Sequence, residues 1–313
     1  MVKVIVGLMG SSVASGSQAL STPDQLTEFL DVVRAHKVHE LDTARVYNDG
    51  KSEELLGAVP ASKNFAISTK APAFMPGSLK REKIIDNGHK SFEALGRRKM
   101  DIYYLHGPDR TVSLEEQCEA VNQLYREGLF ERFGVSNLKD AEVQEIHDIC
   151  KQKGYVMPSV YQGGFNPLHR RAADTLMPLL RKLNMVFYAY SPLAGGLLVK
   201  PVEDILKPMK GSRFDKMPVF GDLFLNETMI GELRKLTGVC KAKDISIMEA
   251  TLRWFKHHSP LAEDDGVILG ASRTQQVEAS LSATEKGPLP EDVAKKFEDM
   301  WQAVKEKAPA YSF

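Results

Sequence analysis

Four side chains of the sequence (an aspartate, a tyrosine, a lysine and a histidine) have types that together could protonate a carbonyl group. Asp42 and Tyr47 belong to one short segment, and Lys70 and His106 follow further along the chain. A free tyrosine has a pKa of about 10, which an adjacent ammonium would lower because it favours the phenolate. Asp42 could be the counter-ion of Lys70, and His106 could orient a carbonyl oxygen and donate to it. Since no side chain supplies hydride, this chemistry predicts a nicotinamide cofactor.

Each of these residues also has a plain structural explanation. Asp42 could cap a turn or a helix over residues 52–57, and Lys70 could be a solvated charge. His106 could be a hydrogen-bonded histidine of the core, which is the commoner role for a lone histidine. The functional interpretation therefore depends on whether the fold brings the four side chains to one place.

Composition and charge narrow the class of protein. The chain has 313 residues, of which 43% are hydrophobic and 26% charged, so a sizeable core can form. The formal net charge is zero, which predicts no electrostatic attraction to nucleic acid or to a membrane surface. The start of the sequence lacks a signal-peptide pattern, and no window is apolar enough to span a membrane. The three cysteines are far apart and form neither a metal-binding pattern nor a disulfide framework. We therefore expect a cytoplasmic protein without a bound metal.

Short β-branched runs alternate with longer amphipathic segments along nearly the whole chain. The predicted strands are residues 3–8, 38–42, 64–69, 101–106, 131–135, 157–162, 185–190 and 266–270. This alternation predicts one domain, residues 1–313, folded as an α/β protein of the (β/α)8 TIM-barrel type. The main rival is a doubly wound sheet, which would need a G-x-G-x-x-G turn to bind a dinucleotide. The spacing of Gly7 and Gly10 does not provide that turn.

Helix starts and one long connection complete the expected architecture. Thr22 with Pro23 and Gln25 predicts a helix start, and Ser113 with Glu116 three residues later predicts a capping box. A connection of about 35 residues, rich in proline and glycine, separates Tyr190 from a helix near 226. Connections of this length are usually functional, often as lids. We therefore expect this connection and the C-terminal tail to lie over the active-site face.

In such a barrel the chemistry lies at the C-terminal ends of the strands, and polar residues collect there. The side chains expected at this rim are Asp42, Lys70, His106, Ser136, Asn137, Gln162, Tyr190, Ser191, Ser272 and Arg273. Any one of them could be structural. Their joint arrival at one rim favours a site.

Several runs of residues carry a resemblance to a known family. They are Leu41-Asp42-Thr43-Ala44 with Tyr47, Ser68-Thr69-Lys70, Tyr103-Tyr104-Leu105-His106, Gly134-Val135-Ser136-Asn137, Val160-Tyr161-Gln162-Gly163, Ser191-Pro192-Leu193-Ala194-Gly195-Gly196-Leu197-Leu198 and Gly270-Ala271-Ser272-Arg273. With these runs the whole chain resembles the aldo-keto reductases, most closely the aflatoxin-aldehyde reductase branch. The resemblance implies a (β/α)8 barrel that reduces aldehydes and ketones with NADPH.

The resemblance also implies roles for particular residues. Tyr47 would donate the proton, Lys70 and Asp42 would tune it, and His106 would orient the carbonyl. Ser136, Asn137 and Gln162 would hold the carboxamide of NADPH, and Tyr190 would stack on the nicotinamide. The residues around the pyrophosphate would be Ser191, Pro192, Leu193, Gly195, Gly196 and Leu198. Those towards the adenosine end would be Arg213, Gly270, Ser272, Arg273, Gln276 and Ser280. Two arginines near a 2′-phosphate would favour NADPH over NADH through bidentate pairing.

Some positions depart from the pattern of this branch. Members that reduce acidic aldehydes have one arginine in the long loop and one at the C-terminus, and neither is present here. The loop instead contains Phe220, which we expect to contact substrate with His106. We therefore expect that a short carboxylated aldehyde is not the preferred substrate. Arg45 lies where relatives are commonly apolar, and it could hold a polar substrate or face solvent.

Other functions stay open at this point. Some proteins of this fold are cofactor-sensing subunits of ion channels, and a barrel of this kind could be a Schiff-base aldolase that uses Lys70 as the nucleophile. Turnover of an aldehyde with NADPH would separate the reductase from the binding subunit, and borohydride trapping of substrate on Lys70 would favour the aldolase. The resemblance also implies a possible homodimer.

Overall fold

The computed structural model describes residues 2–9, 20–206 and 224–312. Within those ranges eight parallel strands close into a barrel in chain order, and the last strand pairs with the first. The strands are β1 Lys3–Gly7, β2 Glu40–Asp42, β3 Ala66–Ala71, β4 Met100–Leu105, β5 Phe130–Ser136, β6 Pro158–Gly164, β7 Val186–Tyr190 and β8 Gly266–Gly270. The predicted TIM barrel is therefore confirmed. The assignment of residues 1–313 to one domain stays a prediction.

Helices surround the barrel and connect its strands. In the part of the chain that the structure describes they are α1 Pro23–Ala35, α2 Lys51–Ala58, α3 Arg81–Leu95, α4 Leu114–Arg126, α5 Asp140–Lys153, α6 Leu176–Lys182, α7 Val202–Leu206, α8 Glu227–Lys241, α9 Ile247–His257, α10 Thr274–Thr284 and α11 Glu291–Val304. The predicted helix start at Thr22 is confirmed, and Thr22 and Gln25 form a capping box there. Ser113 caps α4 as predicted, but Glu116 accepts from the Arg81 backbone N–H instead of closing a box.

Seven of the eight strands have a boundary one or two residues away from the sequence prediction, and the shifts of β3 and β6 bear on the site. β3 begins at Ala66 because Pro60–Asn64 forms a 3-10 turn that uses the preceding residues. The strand then continues through Lys70 to Ala71, so Lys70 lies within the sheet rather than after it. β6 likewise extends two residues past Gln162. Both shifts place a candidate site residue on rigid backbone.

Aromatic and branched side chains fill the barrel interior below the rim. One buried cluster consists of Ile5, Ile102, Tyr104, Val160, Tyr188 and Ile268. Tyr104 needs room on the neighbouring strand, because a Cβ added to Gly134 would lie 2.2 Å from its ring. Residues two apart on a strand share a face. The residue two positions after each of these core residues therefore lies on the same inward face, nearer the rim.

The connection after β7 and the C-terminal tail both lie near the rim. The connection contains a 3-10 turn at Ala194–Gly196 and the short helix α7; the predicted site residues Arg213 and Phe220 lie outside the described residues. The tail is bound by Arg171, whose Nε donates to the Ala308 carbonyl at 2.9 Å. The Tyr311 hydroxyl donates to Asp140, the first residue of α5. The tail therefore crosses the barrel face where β5 and β6 end.

Two properties of the described residues concern membranes and metal ions. Over residues 2–9, 20–206 and 224–312, no helix has the length and apolar character needed to cross a membrane. In the same ranges, no three His, Cys, Asp or Glu side chains are grouped so as to hold a metal ion.

Candidate active site

A buried ion pair between Asp42 and Lys70 forms the base of the site. β2 and β3 are neighbours with Asp42 beside Ser68, and Lys70 shares the inward face two residues on. The Lys70 Nζ donates to Asp42 Oδ2 and to the Thr43 carbonyl, both at 2.7 Å. Burial holds the pKa of Lys70 below its usual value, while the Asp42 carboxylate opposes that shift. The lysine therefore has the counter-ion that a buried ammonium needs.

Tyr47 lies directly over this lysine. It begins a 3-10 turn after β2, and its ring centroid is 5.2 Å from Lys70 Nζ. Backbone hydrogen bonds tie the segment before Tyr47 to β3, since the Thr43 N–H donates to Ser68 and the Arg45 N–H to Lys70. The structure thus brings the tyrosine and the ammonium together as the sequence predicted.

His106 closes the group of four. It follows β4, its ring centroid lies 6.0 Å from that of Tyr47, and the two rings meet edge to face at 74°. Burial, with a smaller contribution from the Lys70 charge, lowers the pKa of His106 to about 3. The imidazole is therefore neutral near neutrality, and a neutral imidazole has one N–H to donate and one nitrogen to accept.

Amide and phenol groups extend the site along β5, β6 and β7. Gln162 Nε2 donates to the second oxygen of Asp42 at 2.8 Å. Asn137, which has a positive φ of 61°, donates to the His106 carbonyl at 2.9 Å and to Ser136 Oγ at 3.0 Å. Its Oδ1 accepts from the Tyr190 hydroxyl at 2.7 Å. Burial raises the pKa of Tyr190 to about 12, so that the phenol stays a donor.

The segment after β7 makes a tight turn at the rim. Ser191, Ala194, Gly195 and Gly196 all have positive φ, and the Gly196 and Leu198 N–H groups donate to the Leu193 carbonyl. A Cβ added to Gly196 would meet no atom within 4 Å, so open space lies beside this backbone. Consecutive turns of this kind form concave surfaces that suit anions. Pro192 belongs to the same turn.

The residues after β8 follow a strand that is the neighbour of β7 in the barrel. Arg273 is exposed and immediately precedes α10, and the exposed Gly270 also has open space beside its Cα. Ser272 donates to Gln276 Oε1 through both its N–H and its hydroxyl, each at 3.0 Å. Ser280 differs from these neighbours because it is buried, and its hydroxyl contacts Met248 Sδ at 3.9 Å.

Sequence reasoning missed two residues that shape the site. Glu53 of α2 is fully buried and binds Arg45 Nη1 at 2.6 Å, so Arg45 neither faces solvent alone nor extends freely towards a substrate. Phe74 has a positive φ of 72°, and its ring lies 5.8 Å from that of His106. No pattern in the sequence indicates either contact, because each depends on how a loop turns back towards the rim.

Fold and site together define a (β/α)8 barrel with a tyrosine, a lysine, an aspartate and a histidine grouped at the C-terminal ends of its strands. Residues 3–302 match the model of the Aldo/keto reductase family, so the chain belongs to this family.

Known proteins are similar over most of the chain. "Oxidoreductase sirO" of Leptosphaeria maculans is 42% identical over 298 residues, covering 93% of this chain and 90% of that protein. "Aldo-keto reductase family 7 member A3" of Homo sapiens is 36% identical, with 87% of each chain covered. "Aflatoxin B1 aldehyde reductase member 2" of Rattus norvegicus is also 36% identical, covering 88% of this chain and 79% of the relative. The expected resemblance is confirmed.

Proposed function

We propose that this protein reduces aldehydes or ketones to alcohols with NADPH. One observation carries the proposal: the buried Asp42–Lys70 pair lies beneath the ring of Tyr47, with a neutral His106 beside it. A cation under a phenol ring and a neutral donor next to it suit protonation of a carbonyl oxygen. Membership of the Aldo/keto reductase family supports the same chemistry.

The chain's own residues account for the proton. The Tyr47 hydroxyl would donate it, and the Lys70 ammonium would stabilise the phenolate that remains. Asp42 keeps that ammonium charged against the cost of burial. His106 would hold the carbonyl oxygen near Tyr47 and donate to it as negative charge develops there.

The donor set of the rim fits a dinucleotide. Ser136, Asn137 and Gln162 would hold the carboxamide, and the Tyr190 ring would stack on the nicotinamide. The positive-φ turn at residues 191–198 and the open space beside Gly196 and Gly270 would take the pyrophosphate, with Arg273 at the 2′-phosphate. NADPH, when bound, supplies the hydride that the carbonyl carbon accepts.

The entrance to the site favours an uncharged, apolar carbonyl compound. Phe74 beside His106 is 46% exposed, its neighbour Met75 is 68% exposed, and Val46 beside Tyr47 is 47% exposed. Apolar side chains exposed beside His106 and Tyr47 would suit contact with an apolar ligand. Arg45 is already paired with Glu53 and so offers no free charge to a carboxylate. The name of the rat relative, an aldehyde reductase for aflatoxin B1, is in keeping with such a substrate.

The aldolase alternative is less well supported. A Schiff-base lysine must present a free amine, whereas Lys70 Nζ is fully buried and donates to Asp42 and to Thr43. The binding-subunit alternative predicts affinity for NADPH without turnover.

A carbonyl panel tests the proposal. Purified protein with NADPH should lose cofactor absorbance in the presence of apolar aldehydes or ketones. The value of kcat/KM should be lower for an aldehyde of equal length that ends in a carboxylate. NADPH binding without turnover of any carbonyl compound would contradict the reductase function.

Arg273 provides a separate test of cofactor choice. Replacement of Arg273 by alanine should weaken NADPH binding by roughly 10- to 100-fold, because charge-assisted hydrogen bonds contribute about 1.5–3 kcal/mol each. Binding of NADH, which has no 2′-phosphate, should change little. Fluorescence titration with both cofactors measures the difference, and an equal loss for both would exclude the proposed role of Arg273.

A further inference from the structure

The turn that carries Tyr47 has a strained backbone. Asn48, Asp49 and Gly50 follow Tyr47 directly and have φ values of 51°, 54° and 87°. Two of the three are not glycine; asparagine and aspartate tolerate this conformation better than other L-residues, for which it costs roughly 1–2 kcal/mol, but it is uncommon for them as well. Three such residues in a row persist only where surrounding contacts hold them. The position of Tyr47 therefore depends on what binds the two ends of this turn.

Glu53 supplies a contact on the far side of the turn. It lies in α2, three residues after Gly50, and its side chain is fully buried. Its Oε1 accepts from the hydroxyl of Thr69, the residue before Lys70 on β3, at 2.5 Å. Its Oε2 accepts from Arg45 Nη1 at 2.6 Å. One buried carboxylate thus binds both the strand of the lysine and the segment of the tyrosine.

Arg45 supplies the contact on the near side. Its backbone N–H donates to the Lys70 carbonyl at 3.3 Å, which fixes the main chain two residues before Tyr47. Its guanidinium lies flat against Gly50, since an added Cβ there would come within 2.6 Å of Nη2. The Arg45–Glu53 ion pair therefore spans the turn from residue 45 to residue 53 and packs on its left-handed glycine.

Charge balance gives the ion pair a second consequence. Glu53 is close enough to Lys70 to favour its charged form, so the buried network holds two carboxylates and two cations. Loss of Arg45 alone would leave the buried Glu53 carboxylate without its ion-pair partner, which is costly. Loss of both Arg45 and the Glu53 charge would restore neutrality.

We propose that Arg45 is a positioning residue that, through Glu53, holds the strained turn so that Tyr47 lies over Lys70. This inference rests on the proposed function, because it assigns Arg45 a part in the same proton donation. Arg45 does not contact the substrate; it acts on Tyr47 through the backbone of the turn.

Four variants separate positioning from substrate binding. In Arg45→Met, kcat should fall roughly 10- to 100-fold, which is typical when a reacting group is displaced by about 1 Å. The KM for an apolar aldehyde should stay within about twofold, because no binding contact is removed. Arg45→Lys keeps the cation and should retain most of kcat. The double variant Arg45→Met/Glu53→Gln should regain part of the loss, and Arg34→Met, which breaks the exposed Arg34–Asp31 pair, should match the wild type.

Hydrogen exchange of the backbone tests the ion pair without catalysis. Amides of residues 45–53 should exchange faster in Arg45→Met than in the wild type, and the double variant should lie between them. Amides of α1 should be unchanged in all of these proteins.

Three outcomes would overturn the inference. The first is a raised KM with unchanged kcat in Arg45→Met, which would make Arg45 a substrate contact. The second is a double variant whose kcat is no higher than that of Arg45→Met, which would show that the unpaired Glu53 charge does not cause the loss. The third is unchanged exchange at residues 45–53. A wild-type protein without turnover would instead refute the proposed function, and the exchange measurement would still decide whether the ion pair holds the turn.

Discussion

At the scale of single residues, burial decides which groups carry charge in the site. Lys70 has a carboxylate at 2.7 Å and keeps a cation within the barrel. His106 has no such partner among the described carboxylates, and burial lowers its pKa to about 3. Tyr190 is kept as a phenol, with its pKa raised to about 12. The site therefore combines one paired charge with neutral hydrogen-bond donors.

Tyr190 allows the ring and the hydroxyl to be tested separately. Tyr190→Phe should keep the affinity for NADPH within about twofold, because the proposed stacking needs only the ring, but should lose about 1–3 kcal/mol of stability since Asn137 Oδ1 loses its donor. Tyr190→Ala removes the ring as well and should weaken NADPH binding strongly. Cofactor titration and thermal unfolding measure the two effects. Equal loss of cofactor affinity in both variants would contradict the stacking role.

The grouping of Asp42, Lys70 and His106 could be predicted because strand ends are visible in the sequence. Apolar runs end at or near Asp42, Lys70 and His106, and a parallel barrel sends all strand ends to one rim. The partner of Arg45 could not be predicted. That contact requires three successive residues with positive φ, which turn the chain so that α2 lies beside Arg45. Asparagine and aspartate, as at Asn48 and Asp49, are also common in ordinary turns, so the sequence does not reveal this conformation.

At the scale of elements, close packing inside the barrel limits which residues a strand accepts. The ring of Tyr104 occupies the space beside Gly134 on β5. The sequence indicated that both positions lie in strands, but not that one fills the volume left by the other. The same limit explains the boundaries: β3 could be expected from its composition, while its start depends on the 3-10 turn at Pro60–Asn64.

Two glycine-to-alanine changes should have opposite effects on stability. Gly134→Ala places a methyl 2.2 Å from the Tyr104 ring and should destabilise the protein by about 1–3 kcal/mol through overpacking. Gly238→Ala, within α8 and with no atom near its Cβ, should stabilise it by about 0.5–1 kcal/mol. Chemical denaturation of both variants measures the changes. A neutral Gly134→Ala would contradict the close approach of β4 and β5.

At the scale of the whole molecule, buried neutral histidines link folding to pH. Burial lowers the pKa of His106 to about 3 and that of His169 to about 4, whereas an unfolded histidine titrates near 6.5. Between these values the unfolded chain binds more protons than the folded one. Stability should therefore fall as the pH drops below about 6.5.

This pH dependence has a defined slope. Each of the two histidines should contribute up to about 1.4 kcal/mol per pH unit between roughly pH 4.5 and 6, where it is protonated only in the unfolded chain. Denaturation midpoints measured across that range give the total slope. His106→Gln should reduce the slope by the contribution of one histidine. An unchanged slope in that variant would show that His106 titrates normally in the folded protein.

The most direct test of the proposed function is the kinetics of Tyr47→Phe, which removes the proposed proton donor and leaves the ring over Lys70. The variant should bind NADPH as tightly as the wild type while kcat for an apolar aldehyde falls by roughly 100-fold or more, in keeping with loss of a general acid. Fluorescence titration and loss of cofactor absorbance measure the two quantities in one preparation. Near-normal kcat in Tyr47→Phe would contradict the assignment of Tyr47 as the proton donor.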